Sequence, residues 1–181
     1  FSEGGMEYPG LVYINDTLNL ANKLYTAVHE TAHQWWYGVV GNNQLTEAYL
    51  DEGLTEYSTA IFFDENKEFN ISSALIFENA RKSASTYGEI LQSVGKETDY
   101  KMVKHLKDFS GNLEYVNTAY NRPLTMMKTI EDAIGRDKVK TVLKKYYETY
   151  KFKTVTTNEI LENFYLAKKL LSSYIEGKAV V

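Results

Sequence analysis

His29, Glu30 and His33 stand in the order His-Glu-Thr-Ala-His, and their types and spacing suit one task. Residues four apart on a helix share a face, with Cβ atoms about 6 Å apart, so the two imidazoles can grip one metal ion. Zinc accepts neutral imidazole nitrogens at roughly 2.0–2.1 Å. Glu30, directly after the first histidine, is placed to act as a general base. A catalytic zinc also needs a third protein ligand and an open fourth position. Glu52, nineteen positions after His33, is the candidate third ligand. Glu56, one turn further along the same face, is placed to accept the second N–H of a ligating histidine. The remaining histidine, His105, lies in a polar stretch and is expected at the surface.

These side chains are useful only if helices carry them. From about Asn19 the apolar positions Leu20, Leu24, Ala27, Val28, Thr31 and Trp35 recur at helical steps. A helix is expected to run to about Val40, buried on most sides by its Trp35-Trp36-Tyr37 run, with Gly41-Asn42-Asn43 as the stop. Thr46 is the expected N-cap of a second helix through Leu50, Leu54, Tyr57 and Phe62. Two antiparallel helices joined by a short loop bring Glu52 opposite the histidines.

Elsewhere the pattern is also helical. Ser72 or Ser73 is expected to cap a helix reaching about Val94, followed by a mixed stretch over 95–114 read as loop with a short helix. A helix from about Val116 to Ile134 is expected to bend at Pro123 and end at Gly135. Another spans 137–150, and Thr156-x-x-Glu159 is a capping box opening a last helix to about Leu171. The β signal is confined to the start, where Met6-Glu7-Tyr8 reads as extended and Leu11-Val12-Tyr13-Ile14 as a strand. The expectation is mainly α with a small β edge (α+β).

The chain has 181 residues, 44% hydrophobic and 24% charged, with net charge −4. That is the composition of a globular protein, and its charge offers no reason to expect nucleic acid or an anionic membrane as partner. Without cysteine there are neither disulfides nor thiolate metal sites, so a zinc must be held by histidine and carboxylate. No apolar run approaches the about 18 residues of a membrane span, and no signal segment is evident; the compartment stays open. The chain begins at Phe1 without a methionine and is expected to be part of something longer.

His29-Glu30-x-x-His33 followed by Glu52 resembles the gluzincin pattern shared by thermolysin and the aminopeptidase N-type zinc peptidases. Gly4-Gly5-Met6-Glu7-Tyr8 resembles the G-x-M-E-N segment that lines the substrate cleft in the aminopeptidase N type. His33-Gln34-Trp35 and Leu50-Asp51-Glu52-Gly53-Leu54 strengthen the likeness, which extends from residue 1 to about 165. It implies a thermolysin-like helical zinc-peptidase domain, one zinc per chain and peptide substrates. Gly5, Met6 and Glu7 would then bind substrate, with Glu7 taking its free α-amino group. It further implies a tyrosine that stabilises the oxyanion. Tyr120, in Tyr120-Asn121-Arg122-Pro123, is the best counterpart, with Arg122-Pro123 standing where Lys-Gly is usual; Tyr115 is next. Tyr8 stands where the family has asparagine. The family's N-terminal β domain and C-terminal helical domain have no counterpart in this chain. Residues 1–181 are therefore expected to be one excised catalytic domain whose cleft the rest of a longer chain completes.

Three readings follow. The favoured one is an aminopeptidase, in which Glu30 activates water and Glu7 reads the amino terminus. The second is a thermolysin-like endopeptidase, which gains nothing from a carboxylate blocking the cleft at Glu7. The third is a non-catalytic interaction module, against which the intact Glu30 argues.

Overall fold

In the computed structural model, which describes residues 4–95, 97 and 99–179, the chain is organised around α2 (Tyr49–Glu65). Twelve of its residues are buried, on every side of the helix. A helix apolar around most of its circumference must be enclosed by others. Here α1 (Leu20–Ala32), α3 (Ser73–Ser93) and α5 (Arg122–Ile134) pack against it. Gly53 makes the closest approach possible, since a Cβ there would fall 2.4 Å from Pro123 Cβ on α5. Tyr57, Met127, Ile130, Val139 and Leu171 are fully buried in the core these helices form with α6 (Arg136–Tyr150) and α8 (Lys168–Ile175).

The β edge is a hairpin of β1 (Gly5–Tyr8) and β2 (Leu11–Ile14), pairing Glu7 with Val12 and Tyr8 with Leu11. Pro9-Gly10 makes its tight turn, with Gly10 at φ +76°, the conformation a type II turn demands of its third residue. A second sheet was not expected. β3 (Val40–Asn42) pairs in parallel with β4 (Lys153–Val155), where a helix end and a loop had been anticipated.

The first helix is accordingly shorter than its sequence suggests. α1 ends at Ala32, and the chain turns sharply through Trp36 and Tyr37, the latter at φ +107°. Unwinding here leaves the Trp36 carbonyl to accept from His33 Nδ1 at 3.1 Å, which a continuing helical ladder would not. Trp36 enters the core and donates to Ser58 Oγ at 2.8 Å, while Trp35 stays half exposed. The apolar stripe does not face the core either, Leu20 being 73% exposed. The residues of α1 that are buried are His29 and Glu30.

Other departures are local. α2 starts at Tyr49 rather than at a Thr46 cap, and its N-cap Ala48 offers no side-chain hydrogen bond. Glu47 instead accepts from Thr157 N at 2.8 Å, fastening this end of α2 to α7 (Thr157–Asn163). The expected 116–134 helix is divided into α4 (Asn112–Val116), a π turn at Asn117–Asn121, and α5. Pro123 sits in the first turn of α5, where a missing N–H is harmless, and the widened turn precedes it. The last expected helix is likewise divided into α7 and α8 by a 3₁₀ turn at Tyr165–Ala167, although its Thr156–Glu159 capping box is present. Ser72 caps α3 and Gly135, at φ +88°, ends α5, both as expected. No helix among the described residues is long and apolar enough to cross a membrane.

Candidate metal centre

The helix pair α1–α2 brings together the three residues singled out by spacing. His29 Nε2 and His33 Nε2 lie 3.1 Å apart. Glu52 Oε2 is 3.3 Å from the first and 3.2 Å from the second. All three side chains are buried. The outer nitrogens of both rings face acceptors. His33 Nδ1 donates to the Trp36 carbonyl, with Thr55 Oγ1 at 3.2 Å. His29 Nδ1 lies 3.0 Å from Glu56 Oε1, a close contact whose N–H direction is off the bond line. Tyr25, one turn before His29, donates its hydroxyl to the other oxygen of Glu56.

With protons held at both Nδ1 atoms, the inner atoms of the triangle are three lone-pair donors pointed at one another. Three such donors repel unless a cation lies among them. Ligands about 2.0 Å from a tetrahedral ion stand about 3.3 Å apart, which is the spacing of this triangle. Two imidazole nitrogens and a carboxylate oxygen suit zinc, and the donor set therefore fits it. Without a cation the cluster reaches for protons. Burial disfavours the charged imidazoles, but Glu52 and Glu56 outweigh it and raise His29 well above its ordinary range. Burial would raise Glu52 too, but the two imidazoles hold its carboxyl down at about 2.

Glu30 projects beside this triangle. Burial pushes its carboxyl up to about 7, against the pull of the two histidines, and its Oε2 has no hydrogen-bond partner among the described residues. It lies against β1 so closely that a Cβ on Gly5 would fall 2.1 Å from Glu30 Oε1. A side chain at Gly5 would therefore push the Glu30 carboxylate from its place. Tyr120, on the π turn, donates its hydroxyl to Glu52 Oε1 at 2.5 Å and stacks on the His29 ring at a centroid distance of 6.1 Å. Burial and the Glu52 charge raise its phenol well above 10, which keeps it a proton donor. The Tyr115 ring stands edge-on to Tyr120 at 5.9 Å, and burial first, then Glu52, pushes its phenol up to about 12. Of the two tyrosines, Tyr120 is the one joined to Glu52.

His29, Glu30, Glu52, Glu56, Tyr115 and Tyr120 border one cleft of about 470 Å³, which Gly5, Met6 and Glu7 line from the hairpin side, while His33 lies behind its wall. Glu7 is buried, and its Oε1 accepts from Gln44 Nε2 at 2.8 Å. His105 is not among the residues that line the cleft, although Leu106 beside it is, and its Nδ1 accepts from Lys107 N at the start of a short 3₁₀ turn. Three neighbours escaped the sequence reading. Tyr25 stands at helical spacing from His29 and Asp51 is adjacent to Glu52, so local pattern contained a signal for both. Gln44 is separated from Glu7 by 37 positions, and nothing in the pattern connects them.

A mainly helical fold thus surrounds a buried His-His-Glu donor set that fits a metal ion, with the Glu30 carboxylate at its side. The chain belongs to peptidase family M1, whose domain matches residues 1–176. Leucine aminopeptidase 2-1 of Meyerozyma guilliermondii is 26% identical over 171 residues, covering 91% of this chain and 27% of that protein. Leukotriene A-4 hydrolase of Xenopus laevis is 25% identical over 186 residues, covering 98% of this chain and 28% of that protein. The chain thus spans little more than a quarter of these relatives. An M1 zinc metallopeptidase structure from Deinococcus radiodurans superposes with a TM-score of 0.71 at 18% identity, covering 100% of this chain and 38% of that one. A mutant of the Deinococcus radiodurans enzyme bound to a Tyr-Ser-Ala substrate gives a TM-score of 0.71 at 17% identity, over 100% and 38% of the two chains. At such identities the structural likeness is one of fold. The family resemblance and the mainly helical class read from the sequence both hold.

Proposed function

We propose that this chain is the catalytic domain of a zinc aminopeptidase, holding zinc through His29, His33 and Glu52. The observation that carries the reading is the triangle of His29 Nε2, His33 Nε2 and Glu52 Oε2, 3.1–3.3 Å on each edge, two of whose members, His29 and Glu52, line the same cleft as Glu7. Zinc bound there supplies Lewis acidity toward the scissile carbonyl and toward water.

The chain's own residues do the rest. Glu56 and the Trp36 carbonyl orient the two imidazoles by their outer nitrogens. Glu30, with its carboxyl raised to about 7, takes a proton from water and passes it to the leaving amine. Tyr120 leaves Glu52 to donate its hydroxyl to the oxygen that gains charge as the carbonyl becomes tetrahedral. Glu7, with the Gly5-Met6 backbone beside it, receives the substrate's ammonium group and so sets the distance from amino terminus to scissile bond. An endopeptidase has no use for that carboxylate, and a pure interaction module has none for Glu30. The relatives named aminopeptidases support the same reading.

The test is hydrolysis of aminoacyl-arylamides by the zinc-loaded protein in its complete natural chain. Activity is expected to vanish in chelator, to return with zinc, and to fall by about three orders of magnitude or more in Glu30→Gln. Equal hydrolysis of N-acetylated and free peptides would overturn the exopeptidase assignment.

A further inference from the structure

Glu7 does not face the cleft unaided. Gln44, in the turn between β3 and α2, places its amide nitrogen between two buried carboxylates. One N–H reaches Glu7 Oε1 at 2.8 Å and the other reaches Asp51 Oδ2 at 2.6 Å. Asp51 is itself held from the other side, Asn42 Nδ2 donating to its Oδ1 at 2.8 Å. The result is a chain of contacts from Asn42 through Asp51 and Gln44 to Glu7, three of whose members lie on β3, α2 and the turn joining them. Only the last, Glu7, belongs to the hairpin.

The choice of a neutral amide matters. Glu7, His33 and Asp51 offer atoms within 4.8 Å of one another, near enough for a second cation. The Gln44 NH₂ group stands between the two carboxylates instead. An amide satisfies an oxygen on each and carries no charge of its own, so it brings no cation to Glu7 that would compete with a ligand. Both N–H bonds are committed, which fixes the amide plane and with it the Glu7 carboxylate that lines the cleft.

We infer that Gln44 is the positioning residue for the amine-binding carboxylate, and that substrate selection by a free α-amino group depends on it. The inference rests on the aminopeptidase reading. Gln44 acts through Glu7, so its loss should weaken the binding of an ammonium group and leave bond cleavage itself in place.

The experiment uses the zinc-loaded protein in its complete natural chain and compares Gln44→Met, of similar length but without donors, with Glu7→Gln. The substrates are an aminoacyl-arylamide and its N-acetylated form. For Gln44→Met the expected result is a KM for the free-amine substrate raised by about tenfold or more, the worth of a hydrogen bond to a charged group. Its kcat should stay within about threefold and its zinc content should be unchanged, with the N-acetylated substrate unaffected; a purely structural loss would lower kcat or zinc for both substrates. Gln44→Lys tethers an ammonium beside Glu7 and should erase the preference for a free amine. If Glu7→Gln raises KM but Gln44→Met does not, the positioning role is overturned and the aminopeptidase reading stands. If Gln44→Met loses kcat and zinc together, the role is also overturned. If Glu7→Gln leaves the amine preference intact, the reading fails and the inference with it.

Discussion

The two ends of α2 solve the same electrostatic problem in opposite ways. At its C-terminal end Asp64 meets Glu131 of α5, and the protein supplies the cation. Arg136 grips Glu131 with Nε and Nη2, each at 3.1 Å, and places Nη1 on Asp64. Tyr57 adds its hydroxyl to Glu131 at 2.6 Å. At the N-terminal end Asp51, Glu52 and Glu56 gather with two histidines, and among the described residues no lysine or arginine pairs with them. A two-pronged guanidinium closes the first cluster and makes it structural. The second is left short of positive charge, and that shortage is what a metal ion can satisfy. A buried acidic cluster becomes a site where the fold withholds the cation.

The contrast can be broken at its open end first. His33→Ala should abolish zinc binding and reduce hydrolysis to background, with the helical circular-dichroism signal retained; metal analysis and activity on the same preparation check this. In the unaltered protein, zinc at about a hundred times its dissociation constant should add about 2.7 kcal/mol of stability, read as a raised melting temperature. A zinc-independent melting curve would show that the triangle is satisfied without metal. Next in size is Tyr120→Phe, expected to lower kcat by about a hundredfold or more with zinc retained, as for other donors to a developing oxyanion. Loss of zinc in that variant would instead make Tyr120 a support for Glu52 alone.

The closed end gives smaller effects and should leave the metal untouched. Arg136→Met should destabilise the fold by roughly 1–3 kcal/mol, because Asp64 and Glu131 lose the guanidinium that joins them and keep only their lesser partners. Zinc content should not change, and denaturant unfolding beside metal analysis separates the two. The smallest effect concerns pH. Burial acts to raise Glu131, but Arg136 and Tyr57 outweigh it and hold the carboxyl below its ordinary value of 4.5. A carboxylate depressed in the folded state contributes stability above its unfolded pKa and loses it as pH falls below. Melting temperature of the metal-free protein should therefore drop as pH is lowered below about 4.5, and the drop should be shallower in Arg136→Met. An unchanged slope would show that this network does not govern acid stability.

Much of the open cluster was legible in the sequence, because its members are related by helix geometry. His29, Glu30 and His33 share a face through their spacing alone, as do Glu52 and Glu56; the short loop expected to bring the two groups together is instead a longer connection through β3. Gly53 carries a signal of another kind, since the Pro123 ring leaves no room for a Cβ there, and Gly5 another, since a Cβ there would displace the Glu30 carboxylate. Periodicity misled over α1. It identified an apolar stripe and assigned that stripe to the core, whereas the helix buries His29 and Glu30 and leaves Leu20 and Trp35 open. Hydrophobic pattern shows which face water disfavours; it does not register a polar face whose burial is compensated by partners from another helix.

What the sequence by itself determined is therefore the set of residues that local spacing unites: the two histidines, their glutamates, and the caps at Ser72 and Thr156. Tertiary structure alone decided where α1 unwinds to free the Trp36 carbonyl for His33, that β3 and β4 pair across more than a hundred positions, and that Gln44 reaches Glu7. Helical and turn geometry are set by neighbours a few residues away, so they can be read along the chain. Contacts between distant segments depend on how whole elements pack, and that becomes visible only in three dimensions.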